Sequence, residues 1–277
     1  MNVQKLSAFS DGNQGGNPAG VVISTELPDR ADMQKIAADV GFSETAFAAP
    51  EGKGWKVRYF SPETEVPFCG HATIALGAAL ALENGNGVFA LSLSEANITV
   101  EGRKNRDVVS AALQSPPTKS ASVSTELKAE ALALFGYSEA DLDERIPVGH
   151  ANAGADFLII GLNSREKLAS MSYDLEEGKK FMHRHGFITI CLVYAEHDQL
   201  FHTRNPFASG GVYEDPATGA ATAAFSGYLR DITWPHRNKI AIIQGEDMGM
   251  RSLIEAEIPN EVGSSIRVSG TARSMQD

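Results

Sequence analysis

The chain has 277 residues, 43% hydrophobic and 21% charged, which suits one large or two ordinary globular domains with a substantial core. A net charge of −11, with no basic run denser than His183–His185, excludes nucleic-acid or anionic-membrane binding through bulk charge. Two cysteines, Cys69 and Cys191, exclude a disulfide framework. No segment reaches about 18 uncharged apolar residues, and "MNVQKLSAFSDG" lacks a signal-peptide core. The expectation is a cytoplasmic protein.

Short β-branched runs bounded by Gly, Asn, Pro or Asp predict strands at 19–24, 55–60, 87–93, 97–102 and 107–113 in the first part of the chain. A helix is predicted over 29–39, opening on Asp29 and stopping at Gly41, and a second over 70–84. "QSPPTKSASVST" (114–125), Pro-Pro within a Ser-rich polar stretch, reads as a linker. Beyond it, helices are predicted over 124–135, 164–170, 174–184 and 216–230. Strands are predicted at 155–161, 187–194, 199–204, 239–245, 251–258 and 265–270.

The two parts resemble each other. Each runs from a Gly/Asn-rich turn ("GGNPAG" at 15–20, "HANAGA" at 150–155) through an apolar strand to an almost uncharged helix. This reads as an internal duplication, with halves 1–117 and 118–277 and the last strand, about 264–277, a candidate to pack on the N-terminal half. The eleven residues Ala72–Leu82 carry no charge. A helix apolar all round is buried on all sides, so the expected fold class is α+β, with each half a curled β-sheet or barrel around a central helix.

Both central helices open on small residues: Gly70, Ala72 and Thr73 in the first, Thr218, Gly219 and Ala220 in the second. Small side chains leave the first backbone N–H groups accessible, and those groups with the helix dipole favour an anion. These six residues are therefore candidate substrate-binding positions for a carboxylate. Read alone, Asp215 before Pro216 is an ordinary N-cap followed by Pro at N1; the functional reading is a substrate ligand or acid. Cys69 sits where a helix start stabilises a thiolate, though a lone cysteine is more often a small buried hydrophobe. His71 is one of seven histidines, a donor or acceptor in a site or simply structural. Glu44, in "GFSETAF", is either a first-turn glutamate after Ser43 or a general base on a short apolar segment. No HExxH or CxxC spacing occurs, so no metal is expected. No GxGxxG, Walker or GxSxG pattern occurs either. Proton movement without a cofactor is the chemistry that remains.

"FSDGNQGGNPAGVV", "GFSETAF", "VRYFSPETEVPFCGHATIALGAAL" and "GVYEDPATGAATAA", in that order, resemble the phenazine-biosynthesis isomerase (PhzF-like) family over nearly the whole chain. The resemblance implies the diaminopimelate-epimerase-like fold, two pseudosymmetric halves with the active site between them. It places the catalytic glutamate at Glu44, the histidine at His71 and the aspartate at Asp215, with Cys69 a secondary candidate. Ala220 stands where the family often has serine, and the Phe of "RNPFASGG" falls one place later after Arg204 than the family pattern. The activity implied is a cofactor-independent isomerase of a small carboxylic acid. The rivals are an epimerase or racemase of a small amino or hydroxy acid, using Cys69 and Asp215, and a non-catalytic ligand-binding protein. The expected partner is the small carboxylic acid, with no nucleic acid and no membrane, and a homodimer left open.

Overall fold

Side-chain alternation in "GWKVRYF" builds a sheet facing a core on one side: Val57 and Tyr59 are buried while Lys56 is exposed. The computed structural model describes residues 2–94 and 96–275. It divides into two units, residues 1–114 with 269–277, and residues 115–268.

The first unit contains β1 (Gln4–Ala8), β2 (Asn17–Ile23), α1 (Arg30–Val40), β3 (Thr45–Glu51), β4 (Gly54–Phe60), β5 (Glu65–Val66), α2 (Gly70–Asn84), β6 (Gly87–Ser92), β7 (Asn97–Asn105) and β8 (Val108–Pro117), whose last residues enter the second unit. The second contains β9 (Lys119–Ser122), α3 (Thr125–Phe135), β10 (Gly149–Asn152), β11 (Asp156–Leu162), α4 (Arg165–Ala169), α5 (Leu175–His185), β12 (Thr189–His197), β13 (Leu200–Phe207), β14 (Val212–Asp215), α6 (Gly219–Asp231), β15 (Lys239–Gln244) and β16 (Ser252–Glu257). The final strand, β17 (Ser265–Ser274), begins there and ends in the first unit.

The strands of the first unit close on themselves. β1 pairs antiparallel with β2, β2 parallel with β3, β3 antiparallel with β4, and β4 parallel with β6. β6, β7 and β8 follow antiparallel, β8 pairs with β17, and β17 returns to β1 with Ala272 opposite Ala8. This is a closed eight-stranded barrel, and closure removes the sheet edges. Helix α2 runs inside it, every residue from His71 to Ala81 buried. Outside, α1 starts where Asp29 Oδ1 accepts the Asp32 amide and ends at left-handed Gly41. It buries Met33 and Ala37 against Val22, Phe47 and Phe60.

The second unit repeats the order of pairings. β10–β11 is antiparallel, β11–β12 parallel, β12–β13 antiparallel, β13–β15 parallel and β15–β16 antiparallel. The short strand before the buried helix also recurs, β14 on β13 as β5 is on β4. Helix α6 is buried from Ala221 to Arg230. Outside the sheet, Phe135 of α3, Leu168 of α4 and Phe181 and Met182 of α5 pack on Leu158, Ile160 and Leu192. The duplication read from the sequence is thus present as repeated topology.

Two expectations are corrected. The segment 114–125 is not a linker: β8 runs to Pro117, and β9 pairs with β10 from Lys119↔Asn152 to Ser122↔Gly149. The Asn/Gly stretch 150–155 is not only a turn, since Gly149–Asn152 forms β10. Short polar strands lack a hydrophobic period, so only their neighbours reveal them. Among the described residues no helix is long and apolar enough to cross a membrane.

Two glycines set how closely α2 approaches its sheet. A Cβ on Gly102 of β7 would lie 2.1 Å from the Gly77 carbonyl oxygen, and one on Gly77 would lie 2.5 Å from Val100 Cγ2. Neither contact is sterically allowed, so helix and strand touch backbone to backbone. Gly102→Ala is expected to destabilise the protein by about 1–3 kcal/mol, the usual cost of overpacking, read as a lowered urea midpoint. An unchanged midpoint would show that the contact is not a close one.

Candidate active site

The first polar cluster gathers around the start of α2. Cys69, the N-cap residue, has an extended backbone and makes no side-chain capping bond. The helix ladder begins with the Thr73 amide donating to the Cys69 carbonyl at 3.0 Å, so the amides of Gly70, His71 and Ala72 precede it. Gly70 is partly exposed and nothing lies within 4 Å of where its Cβ would be. That leaves room for a ligand at the first turn.

His71 is the hub. Its Nδ1 lies 3.3 Å from Cys69 Sγ. Its Nε2 lies 3.3 Å from Ser43 Oγ and 3.4 Å from Glu44 Oε2. His71 is 7% exposed and the Glu44 side chain 19%, so the imidazole is sheltered while the carboxylate stays reachable. Glu44 immediately precedes β3, and its carbonyl accepts the Gly20 amide at 3.1 Å. A Cβ on Gly20 would come within 2.6 Å of Thr45 Oγ1. The last glycine of "GNPAG" therefore lets β2 approach the residue after Glu44.

Thr73, expected to touch substrate, is completely buried. Its hydroxyl donates to the Cys69 carbonyl at 2.7 Å and shares a 2.7 Å hydrogen bond with Tyr59 Oη. Burial pushes the Tyr59 phenol above its ordinary range, against the opposing effect of Thr73, so it remains a neutral donor. Thr73 fixes the Cys69 turn instead of presenting a hydroxyl. Ala72 is likewise fully buried, backbone and side chain alike.

The second cluster surrounds the start of α6. Asp215 ends β14 and is not the N-cap; the helix begins at Gly219 with Thr218 as its cap residue. Thr218 has φ −116° and ψ 86°, outside the helical region. The Thr218 hydroxyl donates to Asp215 Oδ2 at 2.5 Å. Its amide donates to Gln244 Oε1 at 3.0 Å. Gln244 Nε2 donates in turn to the Asp215 carbonyl at 2.7 Å and to Thr218 Oγ1 at 2.9 Å. Both Thr218 donors are thus engaged internally. The α6 ladder starts with Thr222 donating to the Thr218 carbonyl, so the Gly219 and Ala220 amides precede it. Gly219 is buried and Ala220 partly exposed.

β14 is pinned from beside Asp215. Glu214 accepts from Arg204 Nε at 3.0 Å and Nη2 at 2.5 Å, and Arg204 Nη1 donates to the Ala169 carbonyl at 2.9 Å. Both residues are 8% exposed. Burial opposes the Arg204 charge, yet its pKa is raised because the Glu214 carboxylate outweighs that effect. Breaking such a pair leaves an uncompensated buried charge.

The fold therefore assembles Glu44, Cys69 and His71, with Ser43, in the first unit, and Asp215, Thr218, Gly219 and Ala220, with Gln244, in the second. Sequence reading missed Ser43 and Gln244. Ser43 was visible in "SET", read there only as a helix-start residue. Gln244 carries no local signal, being a glutamine at a strand end. The first cluster also brings a carboxylate oxygen, a thiol sulfur and an imidazole nitrogen within 4.8 Å of one another, a metal-capable set that local spacing did not reveal.

Residues 6–277 match the PhzC-PhzF family, described as phenazine biosynthesis-like protein. The chain belongs to this family. An uncharacterized isomerase of Clostridium acetobutylicum is 28% identical over 98% of this chain and 95% of its own length. The trans-2,3-dihydro-3-hydroxyanthranilate isomerase of Pseudomonas fluorescens is 28% identical over 95% of this chain and 92% of its own. A PhzF-family protein of Bacillus anthracis superposes with a TM-score of 0.87 at 21% identity, covering 100% of this chain and 98% of that one. A hydroxyproline epimerase of Agrobacterium vitis shares the fold with a TM-score of 0.62 at 10% identity, covering 99% of this chain and 88% of that one. The PhzF-like chain is an isomerase with an epimerase-like fold.

Gln244→Leu removes the acceptor of the part-buried Thr218 amide and is expected to cost about 0.5–1.5 kcal/mol. Thr218→Ser keeps the hydroxyl and is expected to unfold at nearly the wild-type urea concentration, with Thr218→Val below it. Equal midpoints for the Ser and Val variants would remove the hydroxyl from the network.

Proposed function

We propose that the protein is a cofactor-independent isomerase that moves a proton between two carbons of a small carboxylic acid, with Glu44 as base and then acid. The observation that carries this reading is the Glu44 carboxylate, 19% exposed at the head of an apolar strand and 3.4 Å from His71 Nε2. The Pseudomonas fluorescens relative, named for isomerising an anthranilate, supports the substrate class.

In this reading Glu44 removes a proton from a C–H carbon, and the electron pair left behind spreads over the unsaturated acid. The protonated Glu44 then delivers the proton to another carbon of the same system, so no electrons leave and no co-reactant is consumed. A Cys69 thiol donating to His71 Nδ1 favours the tautomer with hydrogen on Nε2, directed at Glu44 and Ser43. The imidazole then positions the carboxylate. In the second unit, Asp215 just before α6 is oriented by the Thr218 hydroxyl. Backbone N–H groups at the start of α2 oppose the negative charge that develops in the transition state.

The epimerase reading is kept by one contact, the Cys69 thiol 3.3 Å from a histidine nitrogen able to deprotonate it. Turnover in D₂O separates the two, starting with trans-2,3-dihydro-3-hydroxyanthranilate and extending to other small unsaturated carboxylic acids. Isomerisation places deuterium on a new carbon, whereas epimerisation labels and inverts the original one. Glu44→Gln is expected to lose at least about 10²-fold in kcat, the scale of general-base removal, with an unchanged unfolding midpoint. Near-wild-type turnover of that variant defeats the assignment. Cys69→Ala is expected to stay within about tenfold of the wild-type rate, a smaller loss than removal of a general base; a folded but inactive Cys69→Ala favours the epimerase.

A further inference from the structure

The loop that joins α6 to β15, residues 232–238, is under backbone strain. Among the described residues five non-glycines have a left-handed φ, and three of them lie here: Thr233 at 61°, Arg237 at 50° and Asn238 at 64°. Asparagine tolerates this region, but a β-branched threonine and an arginine disfavour it. The Lys239 amide donates to the His236 carbonyl at 3.1 Å, closing a turn whose two central residues are both left-handed. Such turns usually take Asn and Gly, so this one needs another support. The buried His236 side chain supplies it: its Nδ1 accepts the Asn238 amide at 2.9 Å. The Asn238 carbonyl in turn accepts the Ile258 amide at 2.8 Å, just beyond β16. Trp234, also buried, donates from Nε1 to the Asp198 carbonyl at 2.8 Å.

We propose that His236 is an acid-sensitive latch: while unprotonated, its Nδ1 holds the loop closed, and a proton taken up there releases it. A protonated Nδ1 is a donor, so it would meet the Asn238 N–H as a second donor and the hydrogen bond is lost. The new positive charge also falls in the field of Arg230 on α6. The other charged groups around the loop have partners of their own. Asp231 accepts from Arg230 and Ser120, Glu257 from Arg267, and Lys239 pairs with Glu255. Arg145 lies over the Trp234 ring, bonded to Asp143 and acted on by Asp198. His197 precedes Asp198 and accepts the Gln199 amide, and Arg237 adds a further positive charge within the turn. Burial, and then the Arg230 charge, hold the His236 pKa below its ordinary value. The open loop therefore binds the proton more tightly than the closed one. Closure is fully favoured above the ordinary imidazole pKa of about 6.5 and weakens as pH falls below it. α6 starts beside Asp215 and β15 ends at Gln244, so the latch ties the far ends of the two elements that carry that hydrogen-bond network.

The latch is tested on the full-length protein carrying Trp55→Phe, which leaves Trp234 as the one tryptophan. On acidification its emission should move to longer wavelength with a midpoint below about pH 6.5, and return on neutralisation. His236→Asn offers a side-chain oxygen to the amide two residues on without titrating, so its emission should hold the neutral wavelength across the same range. His236→Leu, with no acceptor, should show the long-wavelength emission even at neutral pH. The nitrogen-15 signals of the His236 ring, assigned by their absence from the variants, should show a bare Nδ1 at neutral pH and titrate with the emission. An acid shift that persists in His236→Asn overturns the latch, as does a wild-type emission that ignores acid or a ring that titrates apart from it. A hydrogen on Nδ1 at neutral pH overturns the hydrogen bond itself. His236→Leu with wild-type emission throughout removes His236 from the closure of the loop.

Discussion

The burial of α2 on every side is the constraint from which the first unit follows. An uncharged helix with no polar stripe has no face to offer water, and a flat layer covers only half of it. The eight-stranded ring, with β17 returning beside β1, covers the remainder. Side chains such as Ile74, Leu76 and Leu80, all fully buried, contribute about 1.5–3 kcal/mol each by leaving water. A helix of this width fits only where backbone meets backbone, which is the role of Gly77 and Gly102. Because the apolar stretch is held inside, its first turn is held too, and Cys69 and His71 arrive at a fixed place beside Glu44.

The repetition of this device in the second unit separates framework from chemistry. The order of parallel and antiparallel pairings is the same, and a short strand leads into the buried helix in both. The polar residues at the two helix starts are unrelated. One has an imidazole in contact with both a thiol and a carboxylate; the other has an aspartate braced by a threonine and a glutamine. A duplicated scaffold preserves backbone geometry because packing demands it, while side chains at the open ends of the helices are free to diverge.

Within each cluster the polar groups divide by what they are bonded to. Thr73, Tyr59, Thr218 and Gln244 direct their hydrogen bonds to backbone, to the Asp215 carboxylate and to one another. They are rigid supports that satisfy buried donors. Glu44 and the backbone at Gly70 remain accessible. Such a division suits a catalyst, since reactive groups require a supporting shell whose own positions are fixed. The overall charge of −11 has little influence at this range, because exposed charges are screened beyond about 8–10 Å.

Residue pattern alone determined the α+β class, the two almost uncharged helices, the duplication and the candidates Glu44, Cys69, His71 and Asp215. Each rests on information local in the chain: hydrophobic period, small residues at a helix start, a recurring order of motifs. The helices at 29–39 and 70–84 were legible for the same reason, since caps and apolar runs act within a few residues. Tertiary structure alone decided that the Pro-Pro segment pairs into strands, that Asp215 ends a strand while Thr218 caps the helix, and that the Thr73 hydroxyl is consumed internally. It also brought Ser43 and Glu44 to His71 and Gln244 to Thr218, across 28 and 26 residues. Those outcomes depend on which distant group takes up each buried donor and acceptor. That is a property of closed sheets and packed neighbours, and no window along the chain contains it.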